Sequence, residues 1–198
     1  LFFMNILAFT DSHFDEHVDQ QLIDKAKDVD IVICAGDFTN FGRNIDQIIK
    51  DFLKFEKPVL IIPGNHEEGE DFKRFRKFKN LKFIHKSGFV LEDYLFVGYG
   101  GGGFSERYRD FESIIPKIKL RKRDRKIILV THAPVYGTTT DYLDHAGHVG
   151  SKSSVKFIKE INPLLVICGH IEENSGQIDN IGKTIIVNPG SEGSILEI

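Results

Sequence analysis

Short, nearly continuous apolar runs alternate along this chain with longer amphipathic stretches. Asn5–Thr10, Asp30–Ala35, Pro58–Ile62, Tyr94–Tyr99, Lys126–Thr131 and Leu164–Cys168 are rich in Ile, Val, Leu and Phe, which predicts strands covered on both faces. Val18, Leu22, Ile23 and Ala26 recur at helical spacing, as do Ile45, Ile48, Ile49, Phe52, Leu53 and Phe55, so helices are predicted over Val18–Ala26 and Ile45–Phe55. A third helix, Ser151–Ile161, takes Ser151 as its N-cap, turns Val155, Phe157, Ile158 and Ile161 inward, and is stopped by Pro163. Ser175–Asp179, Lys183–Asn188 and Ser194–Glu197 predict short strands between Gly and Pro turns, and Lys82–Tyr99 a hairpin turning near Glu92-Asp93. The alternation implies a mixed α/β domain with two packed sheets and helices outside. No linker-like segment or internal repeat interrupts it, so residues 1–198 are expected to form a single domain.

Charge and cysteine content narrow the class. Lys and Arg number 26 against 29 Asp and Glu, a net charge of -3, which leaves no global basic field for nucleic acid or an anionic membrane. Two basic runs, Lys73–Lys79 and Arg121–Lys126, are expected on solvated faces, with Phe72, Phe75 and Phe78 as a buried stripe. Cys34 and Cys168 each end an apolar run; they make no disulfide framework and suit a reducing, cytoplasmic setting. No apolar stretch approaches the ~18 residues of a membrane span. The opening residues lack a basic n-region and read as the first strand rather than a signal peptide.

The polar residues that follow the strands form a series. Thr10-Asp11-Ser12-His13 follows the first, Gly36-Asp37 the second, Gly64-Asn65-His66-Glu67 the third, His132-Ala133-Pro134 the strand at Lys126–Thr131, and Gly169-His170-Ile171-Glu172 the strand at Leu164–Cys168. An Asp, His or Asn after one strand is ordinarily a cap or turn residue. Five such loops at one end of a sheet, where α/β proteins bind ligands, point instead to a shared site. Carboxylate, imidazole and amide oxygen donors without thiolates suit Mn, Fe, Zn or similar ions.

Asp-x-His, Gly-Asp, Gly-Asn-His, a lone His and a final Gly-His motif occur here in that order, between Asp11 and Ser191. In this the chain resembles the calcineurin-like metallophosphoesterases. Thr131-His132-Ala133-Pro134, Tyr136-Gly137-Thr138, His148-Val149-Gly150-Ser151 and Asn188-Pro189-Gly190-Ser191 resemble the branch called Icc-like predicted phosphoesterases. The resemblance implies a four-layer α/β/β/α sandwich of two mixed sheets flanked by helices, the metallo-dependent phosphatase fold. It also implies two divalent ions (Mn, Fe, Zn or Ni, with Mn favoured). Asp11 and His13 would hold the first ion, Asp37 would bridge both, and Asn65, His132 and His170 would hold the second. Asn65 and His66 would contact the phosphate, and His66 would protonate the leaving group.

The implied reaction is in-line attack of a metal-bridging hydroxide on a small phosphomonoester or phosphodiester. One position departs from the family pattern: its last motif closes on a second His, where this chain has Glu172. That carboxylate either ligates the first ion, favouring a harder metal, or turns away and leaves the ion weakly held; ligation is the expectation. The alternative function is a non-catalytic protein-binding scaffold with a weakened metal site. Tyr136, Asp141 and His148 lie in the long loop Ala133–Ser151 and are read as substrate contacts, with loop scaffolding as the alternative. Gly100–Gly103 is read either as a loop hugging the site or a partner backbone, or as a plain turn. His85 and His145 are expected at the surface, and His17 on the exposed first helix, with the metal rim as the alternative.

Overall fold

The computed structural model describes residues 3–14, 16–67 and 71–198. Among these, strands β1 (Asn5–Phe9), β2 (Ile31–Cys34), β3 (Val59–Ile61), β4 (Leu81–Phe83), β5 (Ser87–Leu91), β6 (Tyr94–Tyr99), β7 (Lys126–Thr131), β8 (Tyr142–Leu143), β9 (Gly147–His148), β10 (Leu165–Ile167), β11 (Ile178–Ile181), β12 (Thr184–Val187) and β13 (Ser194–Glu197) alternate with helices α1 (Gln20–Lys25), α2 (Ile45–Leu53), α3 (Arg109–Arg121) and α4 (Lys152–Ile161). One sheet has the order β13-β1-β2-β3-β4, a second β11-β12-β10-β7-β6-β5, and β8 and β9 pair alone. In the first, β1 to β4 are parallel and β13 is antiparallel. In the second, β6, β7, β10 and β12 are parallel between antiparallel β5 and β11.

The period-2 alternation of strands sorts the apolar residues into three cores. Ile6, Ala8, Ile31, Ile33, Leu60 and Ile62 face Phe96, Ile128, Val130, Leu165 and Ile167 between the sheets. Their neighbours Leu7, Phe9, Val32, Cys34, Val59 and Ile61 pack outward under α1, α2, Phe72 and Phe75. Leu95, Val97, Ile127, Leu129, Val166 and Cys168 pack outward under α3 and α4. The result is the expected α/β/β/α order of layers. Local signals fix the helix ends. Asp19 accepts the Gln21 N–H at 2.8 Å to start α1. Ser151 accepts the Ser154 N–H at 3.1 Å to start α4, and Asn162 in the left-handed region closes α4 before Pro163. No described helix is long and apolar enough to cross a membrane.

Several expectations are corrected. The first helix is shorter than Val18–Ala26 and continues as a 3₁₀ turn over Ala26–Asp28, and His17 precedes it, 3.0 Å from Asp51. The hairpin begins at Ser87, with Leu91 opposite Tyr94 across Glu92-Asp93, because Leu81–Phe83 is recruited to the other sheet beside β3. The Phe72–Phe78 stripe is wound as two 3₁₀ turns that still bury Phe72 and Phe75. The first tail segment pairs from Ile178, three residues later than expected. The sequence pattern did not predict α3, which contains Pro116 and buries only Phe111 and Ile115 fully.

His85 is not a surface residue. Its half-buried ring lies 6.0 Å from Phe83 and 5.4 Å from Tyr99, and its Nδ1 accepts the Gly100 N–H at 2.9 Å. Burial, then the charge of Lys86, lower its pKa to about 4 against the opposing pull of Asp110. The unfolded chain takes up this proton near pH 6.5, so stability present above that value is lost as pH falls towards 4. Discounted for the part-exposed ring, the loss is about 2 kcal/mol. The expected result is a shallower fall in urea-unfolding free energy between pH 7 and pH 4.5 for His85→Asn, whose amide oxygen keeps an acceptor for Gly100. Parallel slopes would remove His85 from the account.

Candidate metal centre

The loops after β1, β2, β3, β7 and β10 meet at one edge of the sandwich. Asp11, His13, Asp37 and His170 hold positive φ values of 52°, 43°, 48° and 75°, a region that residues with side chains enter at a cost and that is concentrated at functional sites. Main-chain bonds knit the first two loops: Asp11 N–H donates to Gly36 O, and His13 N–H to Asp37 O, each at 3.0 Å. Gly64 lies against the Asp37 side chain so closely that a Cβ there would overlap the carboxylate.

Each side chain is anchored by one atom and presents another. Asp11 Oδ2 accepts from the Thr10 hydroxyl at 2.7 Å and the His170 N–H at 2.8 Å. Asp37 Oδ1 accepts the His66 N–H at 2.8 Å. His132 Nδ1 donates to Ala35 O at 2.9 Å, which turns Nε2 and its lone pair inward. That Nε2 lies 3.1 Å from Asn65 Oδ1, 3.3 Å from Asp37 Oδ2 and 3.9 Å from Asp11 Oδ1. This nitrogen and three oxygens thus converge, an arrangement that either a proton on Nε2 or a cation would reconcile. His66 Nδ1 and His170 Nε2 are buried without hydrogen-bond partners, which also fits a centre completed by ions. Two groups of described residues could hold an ion, His13-Asp37-His66 and Asp37-His132-His170, each with ligand atoms within 4.8 Å of one another. They share Asp37.

The electrostatics have the same character. Burial pushes the Asp37 pKa up, but the hydrogen bond and charge of His132, with the His66 N–H, outweigh it and leave the carboxyl below its ordinary value. Burial would lower the His132 pKa; Asp37 and Asp11 reverse that and raise it. His170 is lowered, by burial and then by the charge of His132. Each is a group whose protonation the neighbouring donors control.

Glu172 is exposed and brings Oε1 to 3.6 Å from His13 Nε2, while His13 Nδ1 lies 3.3 Å from Thr39 O. Asp11, His13, Asp37, Asn65, His66, His132, His170 and Glu172 therefore form one constellation. Asp141 and His148 form a separate pair. Asp141 is fully buried and accepts from the N–H groups of Gly137, Thr138 and Gly150 and from His148 Nδ1 at 2.6 Å. His148 fronts a cleft of about 400 Å³ with Thr139, Tyr142, Asn174 and Asp179.

Glu67 was not assigned a role from the sequence. It is buried, and its carboxylate accepts from the N–H groups of Asp37, Thr39 and Gly64 and from the Thr39 hydroxyl, at 2.8–3.0 Å. Burial, reinforced by Asp37, raises its pKa despite those bonds. The tetraglycine run does hug the site: Gly101 N–H donates to Pro63 O at 2.6 Å, and a Cβ on Gly100 would run into the Pro63 backbone. The basic run Arg121–Lys126 lies elsewhere; Arg121, Arg123 and Arg125 line a groove of about 730 Å³ between β5 and α3 that includes no candidate ligand.

The family described as calcineurin-like phosphoesterase matches residues 4–173. An uncharacterised protein of Methanocaldococcus jannaschii is 35% identical over 202 residues, covering 94% of this chain and 88% of that protein. A protein of Arcobacter nitrofigilis named a probable glycerophosphodiester phosphodiesterase is 27% identical, covering 82% of this chain and 63% of the relative. The crystal structure of a dimetal phosphatase from Danio rerio superposes with a TM-score of 0.63 at 11% identity, covering 93% of this chain and 86% of that one.

Proposed function

Because the chain belongs to the calcineurin-like phosphoesterase family, we propose that it hydrolyses a small phosphomonoester or phosphodiester at a centre of two divalent ions. The observation that carries this reading is the pair of ligand groups joined through Asp37. Asp11, His13 and Glu172 would hold one ion, Asn65, His132 and His170 the other, and Asp37 both. The 3.6 Å approach of Glu172 to His13 supports its carboxylate as a ligand. Hard carboxylate oxygens favour Mn among the candidates. Bound there, the ions supply positive charge that polarises phosphoryl oxygens and lowers the pKa of water towards ~7.

The chain's own groups do the rest. Asp11, Asp37 and His132 enter the reaction already oriented, because the main chain and Thr10 hold their second atoms. Asn65 presents its amide oxygen beside His132. His66, at the rim and 4.4 Å from the His13 ring, is the proton donor to the leaving oxygen. His148, oriented by Asp141, is the substrate-binding candidate facing the cleft beside it, and Asp141 acts through it. The buried free thiols of Cys34 and Cys168 suit a reducing, cytoplasmic setting.

Elemental analysis should find two ions per chain, and bis(p-nitrophenyl) phosphate or p-nitrophenyl phosphate should be hydrolysed with Mn²⁺. Neither ester turning over with any divalent metal would overturn the enzyme reading. In His66→Ala turnover should fall by about 10²–10⁴-fold with ion content unchanged. Loss of ions in that variant would make His66 a ligand instead.

A further inference from the structure

Two large apolar side chains stand in solvent at the mouth of the centre. Phe41 is 72% exposed, yet its ring stacks on His66 with centroids 4.0 Å apart and planes at 19°. Phe104 is 60% exposed and meets His170 edge-on at 4.6 Å. Burial explains neither placement, and the backbone turn beneath each ring is tied down. Phe41 occupies the left-handed region at φ 53°, which a bulky residue adopts only where its surroundings impose it. The turn is tied by Gly42 N–H to Thr39 Oγ1 at 3.0 Å and by Arg43 N–H to Asn40 O at 3.2 Å, and Thr39 is itself gripped by Glu67. The Phe104 loop is clamped by Tyr108, whose hydroxyl bonds both the N–H and the carbonyl of Gly103. The two rings cover histidines from different ligand groups, and those groups meet at Asp37.

We infer that the substrate carries a flat aromatic group next to its phosphoester, and that Phe41 and Phe104 are the platforms that hold it. The inference rests on the phosphoesterase reading and deepens it. Fixed, water-exposed ring faces gain from a flat π-partner, which loses its own hydration on stacking. A small polyol flank has no such face, which sets this site apart from the activity named for the Arcobacter relative.

The test is calorimetric binding of two phosphonates that cannot be hydrolysed, phenylphosphonate and methylphosphonate, to the Mn²⁺-loaded protein. Phenylphosphonate should bind at least about tenfold more tightly. The ratio should fall to within about twofold in Phe41→Ala/Phe104→Ala and return in Phe41→Tyr/Phe104→Tyr, with ion content matching wild type throughout. Equal affinities in the wild type, or a preference that survives the double alanine variant, would overturn the inference while leaving the phosphoesterase reading standing. If neither phosphonate binds and bis(p-nitrophenyl) phosphate is not hydrolysed, the phosphoesterase reading fails and takes this one with it.

Discussion

Asp37→Ala is expected to leave the purified protein almost free of metal and to reduce phosphoester hydrolysis by about 10³-fold or more. Every other candidate ligand is proposed for one ion, whereas Asp37 stands in both groups that could hold one. Its removal also takes away the carboxylate 3.3 Å from His132 Nε2, the nitrogen that Asn65 Oδ1 and Asp11 Oδ1 also face. Loss of a partner that merely supports a ligand costs 10–100-fold in metal affinity or activity, and loss of a shared ligand must cost more. The measurement is ions per chain after dialysis, beside hydrolysis of bis(p-nitrophenyl) phosphate. Wild-type ion content in the variant would end the dinuclear assignment.

The second large effect is expected at Glu67, which touches none of the candidate ligands through its side chain except the Asp37 main chain. Glu67→Ala removes the acceptor for three buried N–H groups and a hydroxyl. Each unsatisfied group costs about 1–3 kcal/mol, less than additively, so the loss should be about 3–5 kcal/mol, a large share of a typical ~5–15 kcal/mol. Urea unfolding should show a lower midpoint with an unchanged slope. Metal affinity should fall with it, since the same carboxylate holds the backbone of Asp37 and Gly64. Glu67→Gln does not rescue fully: one of its two terminal atoms becomes a donor and faces N–H groups. A midpoint and ion content like those of wild type in Glu67→Ala would refute this role.

Much of this was legible in the sequence, for physical reasons. Buried parallel strands must be apolar on both faces, so β1, β2, β3, β7 and β10 announce themselves as unbroken runs, and the polar residues after them stand out. The placement of Asp11 beside Asp37 then follows from the pairing of β1 with β2, whereas His132 arrives from the other sheet. Other features were not legible. Helix α3 carries Pro116 and a largely solvated surface, so its apolar period is faint. The short β4 was absorbed into the hairpin because nothing local reveals that Leu81–Phe83 joins β3. Glu67 reads as an ordinary loop carboxylate until four donors are seen to converge on it. The exposure of Phe41 depends on a turn that Glu67 grips from 28 residues away, and that of Phe104 on the clamp of Tyr108 on Gly103.

The donors are divided between the two sheets. Asp11, His13, Asp37 and Asn65 come from the loops of β1 to β3, and His132, His170 and Glu172 from those of β7 and β10. A nascent chain emerging N-terminus first therefore displays a half-built acidic nest long before the imidazoles that complete it leave the ribosome. With the proposed ligands, both ion sites would be complete only once the sheets close on each other, and bound ions would then tie the early and late halves of the polypeptide together.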